Sequence, residues 1–187
     1  NLVPASGHLV HMPSHLYLRI GRYHDAASAN QNAIKADEKF LATSQQKGLY
    51  SALYYPHNIH FFWSAASMEG RSEDAINAAR KLVDKVSLQE VKQIPFSEIF
   101  LPTPYFSLVQ FGKWDEILTE SQPSNDFPYT MAMWHYARGI AWVGKGSLEN
   151  AQFEYQKIKD LLQNSEISSL ETVNVPATNL ISIANHL

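Results

Sequence analysis

The most constraining feature of this chain is a glycine turn that recurs four times in one local context. An apolar stretch precedes each glycine, a short polar step follows it, and a small or branched apolar residue stands five positions later. The glycines are Gly21, Gly70, Gly112 and Gly146, and the residues five positions later are Ala26, Ala75, Ile117 and Ala151. Glycine readily adopts the left-handed conformation that ends a helix, and a small residue lets the next helix pass close to the first. The pattern therefore predicts four helical hairpins.

The residues between the turns repeat with the period of an α-helix. In the second helices of the first two hairpins, small and apolar residues share one face: Ala26, Ala29, Ala33 and Ile34, then Ala75, Ala79, Leu82 and Val83. The chain shows neither the sustained alternation typical of strands nor an alternation of strand and helix patterns. We therefore predict an all-α fold.

The hairpin pattern also sets the expected boundaries. Units are predicted near 7–46, 56–91, 98–121 and 131–163, followed by a terminal helix at 176–187 that stops in mid-pattern. Together they make a single helical repeat domain over residues 1–187, a length that suffices to bury a core. Because the sequence begins without methionine and ends within a helical pattern, we expect it to be a piece of a longer protein.

These turns resemble those of the tetratricopeptide repeat family, which has a tyrosine-like residue four positions before the glycine and an aromatic residue shortly after it. Tyr17, Tyr23 and Trp114 match that pattern. Successive turn glycines are 49, 42 and 34 residues apart, and the last interval matches the family's period of about 34. The resemblance implies a right-handed α-solenoid of about four hairpins with a concave groove. Residues 7–23 are also similar to longer bacterial members of the family, which implies a periplasmic location as an alternative to the cytoplasm.

Five of the eight histidines lie in two segments that open the first two units. They are His8, His11, His15, His57 and His60. The first three are spaced to share one helix face, although Pro13 forces a kink or a helix start between them. The family's first helices line its groove at 13, 10 and 6 residues before the turn glycine. The resemblance thus implies that all five histidines, together with Ser64, face the groove.

One hypothesis is a non-catalytic scaffold that binds a protein or peptide segment, or the remainder of its own longer chain, in this groove. The histidines would supply polar contacts that respond to pH. The predicted partner-binding residues are His8, His11, His15, Arg19, His57, His60, Ser64, Phe106, Met133 and Tyr136. Asn30 is a further candidate donor, for which we expect a solvated surface position. The hypothesis assigns no catalytic residue.

The alternative hypothesis is a transition-metal-binding protein, or a metalloenzyme, that uses the same five histidines as ligands. Neighbouring packed helices have axes ~8–10 Å apart, so imidazoles from two helices can meet between them. Convergent neutral imidazoles suit zinc, copper or nickel. The segments contain no His-Glu-x-x-His motif and no carboxylate that could act as a general base.

Composition excludes several other functions. The chain has no cysteine, which rules out disulfides and thiolate metal sites and leaves the compartment open. The net charge of -3, with no long basic run, argues against nucleic acid as a partner. No apolar run reaches the ~18 residues of a membrane span, so we expect a soluble protein. Nucleotide-binding glycine loops and a Gly-x-Ser-x-Gly elbow are also absent from the sequence.

Overall fold

The computed structural model describes residues 5–43, 50–163, 167, 170 and 176–186. Within these residues the chain is helical and contains no strand, so the predicted all-α class is confirmed. The helices are α1 (Gly7–His11), α2 (Pro13–Arg19), α3 (Tyr23–Thr43), α4 (Tyr55–Met68), α5 (Ser72–Lys85), α6 (Leu88–Gln93), α7 (Thr103–Gln110), α8 (Trp114–Thr119), α9 (Pro128–Gly144), α10 (Leu148–Leu161) and α11 (Ala177–Ala184). A π-helical turn at Tyr50–Tyr54 precedes α4, and a 3₁₀ turn at Pro95–Phe100 precedes α7. None of the helices described has the length and apolar character needed to cross a membrane.

The chain divides into two compact units, Asn1–Glu90 and Val91–Leu187. The first contains the hairpins α2–α3 and α4–α5, and the second contains α7–α8 and α9–α10. The predicted single domain over 1–187 and the predicted solenoid stay predictions. The end of the first predicted hairpin, 44–46, lies outside the described residues.

All four predicted glycine turns have one backbone structure. The glycines have positive φ angles of 76°, 73°, 65° and 75°, in chain order. In the first turn, the N–H of Gly21 donates to the carbonyl of Leu18 at 3.4 Å, and the N–H of Arg22 donates to the carbonyl of Tyr17 at 2.9 Å. The same pair of bonds recurs at the other three glycines. This is the Schellman arrangement, which satisfies the last carbonyls of a helix and lets the chain reverse.

In the first unit, α1 and α2 pack against α3, which in turn packs against α4. The small residues Ala26, Ala27 and Ala65 are buried where these helices meet, and larger side chains close over them. Pro13 has no N–H to continue the hydrogen bonds of α1, so a second helix begins there. Met12 nevertheless keeps helical dihedral angles (φ -47°, ψ -40°), so α1 and α2 follow one another without a loop. The histidines on both helices can therefore face α3 and α4.

The connection between α5 and α7 contains structure that the hairpin pattern did not predict. Helix α6 and the 3₁₀ turn lie within it. In the 3₁₀ turn, the Oε1 atom of buried Glu98 accepts hydrogen bonds from the Thr130 backbone N–H at 2.8 Å and the Thr130 hydroxyl at 3.0 Å. The connection therefore caps the N-terminus of α9, where backbone N–H groups lack helical partners.

Candidate functional site

Four of the five predicted histidines meet inside the first unit. His8 and His11 come from α1, His15 from α2 and His57 from α4, and we call these four the histidine cluster. The Nε2 atom of His11 lies 2.9 Å from Nε2 of His15 and 3.1 Å from Nε2 of His57. The His8 ring stacks on that of His11, with centroids 5.4 Å apart, and lies 5.9 Å from that of His57. Three short helical segments thus bring four imidazoles to one place.

Three members of the cluster are arranged as a possible ligand set. His8, His11 and His57 each offer one ring nitrogen, and these three atoms lie within 4.8 Å of one another. His11 is fully buried, whereas His8 and His57 are half-buried. The arrangement brings together nitrogen donors from two packed helices, and imidazole nitrogens are common metal ligands.

The tautomer of His11 is fixed by Asn30 on α3. The Nδ2 group of Asn30 donates to the carbonyl of Ala26 at 2.8 Å, so its Oδ1 atom faces Nδ1 of His11 at 2.7 Å. A carbonyl oxygen can only accept, and the proton of neutral His11 is therefore on Nδ1. Ser14 Oγ lies 3.1 Å from the same nitrogen as a second acceptor. The remaining nitrogen, Nε2, carries a lone pair that points into the cluster.

Burial keeps His11, His15 and His57 uncharged at neutral pH. The pKa of His11 is lowered to about 4 and that of His57 to about 3, mainly by burial and in part by the neighbouring imidazoles, while the hydrogen bond to Asn30 opposes the fall at His11. The pKa of His15 is also lowered, first by burial and then by the charges of His8 and Arg19. At neutral pH these imidazoles retain their lone pairs, which is the form that binds metals.

Phe61 on α4 packs against the cluster. Its ring centroid lies 4.7 Å from that of His11 and 4.5 Å from those of His15 and His57. On the other side, the ring of Tyr54 lies 4.6 Å from that of His8. These aromatic contacts hold the imidazoles in place.

A buried carboxylate stands beside the cluster, and the sequence analysis missed it. Asp37 on α3 is fully buried and close enough to His8 for the two to interact electrostatically. Its carboxylate accepts a hydrogen bond from the Tyr50 hydroxyl at 2.5 Å and another from Asn58 Nδ2 at 2.7 Å. Burial raises the pKa of Asp37, while both hydrogen bonds act against that rise. The histidine segments themselves contain no carboxylate, and Asp37 reaches the cluster only because α3 packs against α1 and α4.

A signal for these partners was present in α3. Ala26, Asn30, Ala33 and Asp37 fall at helical spacing and are all fully buried. Buried polar residues need hydrogen-bond partners, so two polar residues among alanines on one helix face indicate that this face contacts polar groups. Asn30 therefore lies in the core as an acceptor, whereas a solvated donor was expected.

The other predicted residues lie apart from the ligand set. His60 stacks on Trp63, with ring centroids 4.9 Å apart and planes 11° apart, and burial lowers its pKa to about 4. Arg19 is exposed, while Ser64, Phe106 and Tyr136 are half-buried. Met133 is only 2% exposed. It lies in the core of the second unit, where it presents no surface to a partner.

The second unit holds one histidine in a buried ionic network. Nδ1 of His135 lies 2.6 Å from Oε2 of Glu154, and Nε of Arg138 donates to Oε1 of the same carboxylate at 2.7 Å. Arg138 also stacks over Trp134 and donates to the carbonyl of Leu118 at 3.2 Å. This network joins α8, α9 and α10 and accounts for the burial of Glu154.

No protein-family model, no curated protein and no solved structure matches this chain. The function is therefore inferred from the geometry of the site.

Proposed function

We propose that this protein binds a transition-metal ion through the histidine cluster. The observation that carries the proposal is the lone pair of His11 Nε2, which the Asn30 contact leaves free and which lies 3.1 Å from His57 Nε2. In a tetrahedral site with metal–nitrogen bonds of ~2.0–2.1 Å, two ligand nitrogens are roughly 3.3 Å apart. The cluster needs only a small opening at this pair to admit an ion.

The ligand chemistry favours zinc, copper or nickel. The cluster offers neutral nitrogen donors, which suit these borderline metals, and it offers neither thiolate nor the set of oxygens that calcium and magnesium require. Asn30 orients His11 through the ring nitrogen that does not face the site, as outer partners of metal-bound histidines do.

The test is calorimetric titration of chelator-treated protein, without a histidine tag, with zinc, copper and nickel salts. We expect one ion per chain and, at a free metal concentration 100 times the dissociation constant, ~2.7 kcal/mol of added stability. For a chain of this size, that corresponds to a rise in melting temperature of roughly 5–10 °C. His57→Ala should weaken both effects. His24→Ala, which changes a largely exposed histidine of the same unit, should leave them intact. If none of the three metals binds, the proposal is wrong.

A second candidate function, a helical-repeat scaffold, is supported by an exposed apolar stripe on the outer face of α1 and α2. The stripe consists of Leu9, Met12, Leu16 and Ile20, which are 54%, 44%, 60% and 57% exposed. Residues 7–22 contain no acidic residue, and Arg19 has no ion-pair partner among the residues described. Exposed apolar patches of this kind mark interaction surfaces. We propose that the partner is an amphipathic helix with acidic flanks. It binds this outer face and does not contact the buried imidazoles. In this proposal the chain that presents the face is a right-handed solenoid of tetratricopeptide-like hairpins.

The stripe can be tested with a fluorescent, designed acidic amphipathic helix. Its fluorescence anisotropy should rise on titration with the protein, and Leu16→Asp should remove the rise. Leu148→Asp, at a position 72% exposed on α10, is the matched control and should bind as well as the unchanged protein. Equal binding by both variants would rule out this surface.

A further inference from the structure

A metal site made of His8, His11 and His57 alone does not account for the position of His15. It lies on α2, beyond the Pro13 break, yet its Nε2 atom makes the shortest contact within the cluster, 2.9 Å to Nε2 of His11. Its ring lies 5.7 Å from that of His57 and 4.5 Å from that of Phe61. The same aromatic side chain therefore packs against His11, His15 and His57 together.

The short contacts cannot all be hydrogen bonds. His11 has its proton on Nδ1, so its Nε2 carries one lone pair in the ring plane, which can accept one N–H. Two other imidazole nitrogens approach it, at 2.9 and 3.1 Å. One of these contacts is therefore left without a hydrogen bond. A cation bound between His11 and His57 would relieve this crowding. His15 lies outside the group of three whose ring nitrogens are within 4.8 Å of one another, so its ring would have to turn to reach the same ion.

His8 has an unmet ring nitrogen. Its Nδ1 atom is buried and has no hydrogen-bond partner among the residues that the structure describes. A buried polar atom without a partner costs ~1–3 kcal/mol relative to a paired one. Together with the crowded lone pair of His11, this leaves two ring nitrogens of the cluster without a full hydrogen bond.

We infer that His15 is the fourth ligand, so that the bound ion is held by four imidazoles in a tetrahedral site with no open position. This inference rests on the proposed metal-binding function. Catalytic zinc sites keep a position for water, whereas structural sites are closed by four protein ligands. A closed site assigns the metal a structural role and argues against a metalloenzyme.

A closed site would also connect three helices. His8 and His11 hold the ion from α1, His15 from α2 and His57 from α4. The ligands thus lie on both sides of the proline break, where the helix lacks its normal hydrogen bonds. Metal binding would stabilise the chain at this break and hold α1 and α2 against α4. Asp37, which interacts electrostatically with His8, supplies a carboxylate that would balance part of the charge of the ion.

The experiment uses Co²⁺ as the probe, because tetrahedral cobalt absorbs visible light far more strongly than five- or six-coordinate cobalt. We expect the unchanged protein to give the intense tetrahedral spectrum. His15→Ala should still bind Co²⁺, with affinity lower by roughly tenfold or more and with the weaker spectrum of a site that water has entered. His60→Ala, which removes a histidine of α4 outside the ligand set, should match the unchanged protein.

The outcomes separate the two proposals. If the unchanged protein binds none of Co²⁺, zinc, copper and nickel, both the metal-binding function and the fourth-ligand inference are wrong. If His15→Ala and the unchanged protein have equal affinity and the same spectrum, metal binding stands and the fourth ligand is wrong. X-ray absorption of the zinc-loaded, unchanged protein gives a result that does not depend on how the variant folds. Four imidazole nitrogens around zinc would support the inference, and three with an oxygen would overturn it.

Discussion

At the scale of single residues, Asn30 determines which nitrogen of His11 can bind a metal. Its amide is anchored on the Ala26 carbonyl, and its oxygen holds the His11 proton on Nδ1. An aliphatic residue at position 30 would leave the buried Nδ1–H of His11 without its acceptor at 2.7 Å, and the His11 ring could then change tautomer.

We therefore expect Asn30→Leu to weaken zinc binding by roughly 10–100-fold and to lower the free energy of unfolding by ~1–3 kcal/mol. Calorimetry measures the first effect, and ¹⁵N NMR of the imidazoles shows whether the Nδ1 proton of His11 is lost. Asn32→Leu changes an exposed asparagine of the same helix and should alter neither quantity. Unchanged affinity in Asn30→Leu would show that the tautomer does not depend on this contact.

Only part of the site was predictable, because some of its residues are related by local helical spacing and others meet only through tertiary packing. The spacing of His8, His11 and His15 is local information, and it correctly indicated a common face. The register of the family resemblance placed His60 with them, but its ring stacks on Trp63 and lies outside the ligand set. Asp37 comes from another helix, and only the packing of α3 against α1 brings it to the cluster. A group that arrives through tertiary packing has no signal in the histidine segments themselves.

At the scale of elements, two glycines of α9 differ in what surrounds them. A Cβ atom at Gly139 would make an ordinary contact of 3.7 Å with Glu154 Cβ. A Cβ atom at Gly144 would lie 2.7 Å from the ring of Trp114 on α8. Alanine is favoured over glycine in a helix by ~1 kcal/mol. Alanine substitutions at Gly139 and Gly144 therefore distinguish the effect of helix propensity on stability from the effect of packing.

We expect Gly139→Ala to raise the free energy of unfolding, or leave it unchanged, and Gly144→Ala to lower it by ~1–3 kcal/mol because the indole must move. Urea unfolding monitored by circular dichroism measures both. Similar stabilisation by the two substitutions would mean that α8 and α9 are packed less closely than the structure shows.

The elements themselves were predictable where their signals are local. A glycine with a positive φ angle is required by the Schellman turn, so Gly21, Gly70, Gly112 and Gly146 marked all four turns in advance. The short helix and 3₁₀ turn between Lys85 and Thr103 lacked such a signal. Part of their role is to present Glu98 to Thr130, which is 32 residues away in sequence, and a contact at that distance leaves no local pattern.

At the scale of the whole molecule, the buried imidazoles make stability depend on pH. In the unfolded chain a histidine takes up its proton near pH 6.5, whereas His11 does so only near pH 4 and His57 near pH 3 in the folded protein. The unfolded state therefore binds more protons between these values. The stability that the neutral imidazoles contribute is fully present above pH 6.5 and is lost as the pH falls towards 4.

For the metal-free protein we expect the free energy of unfolding to fall by roughly 2 kcal/mol between pH 7 and 5 for His11 alone, since each tenfold change in proton affinity corresponds to ~1.4 kcal/mol. Urea unfolding in the presence of chelator, at steps across this range, measures the slope. Asp37, whose pKa is raised by burial, acts in the opposite sense. The contribution of His11 is therefore isolated by comparison with His11→Gln, which should have a smaller slope, while His57 and His15 keep theirs. His24→Ala should keep the full slope, because that side chain is largely exposed. A stability that does not change between pH 7 and 5 would mean that the folded cluster accepts protons as readily as the unfolded chain, and the imidazoles would then not be held neutral for a metal.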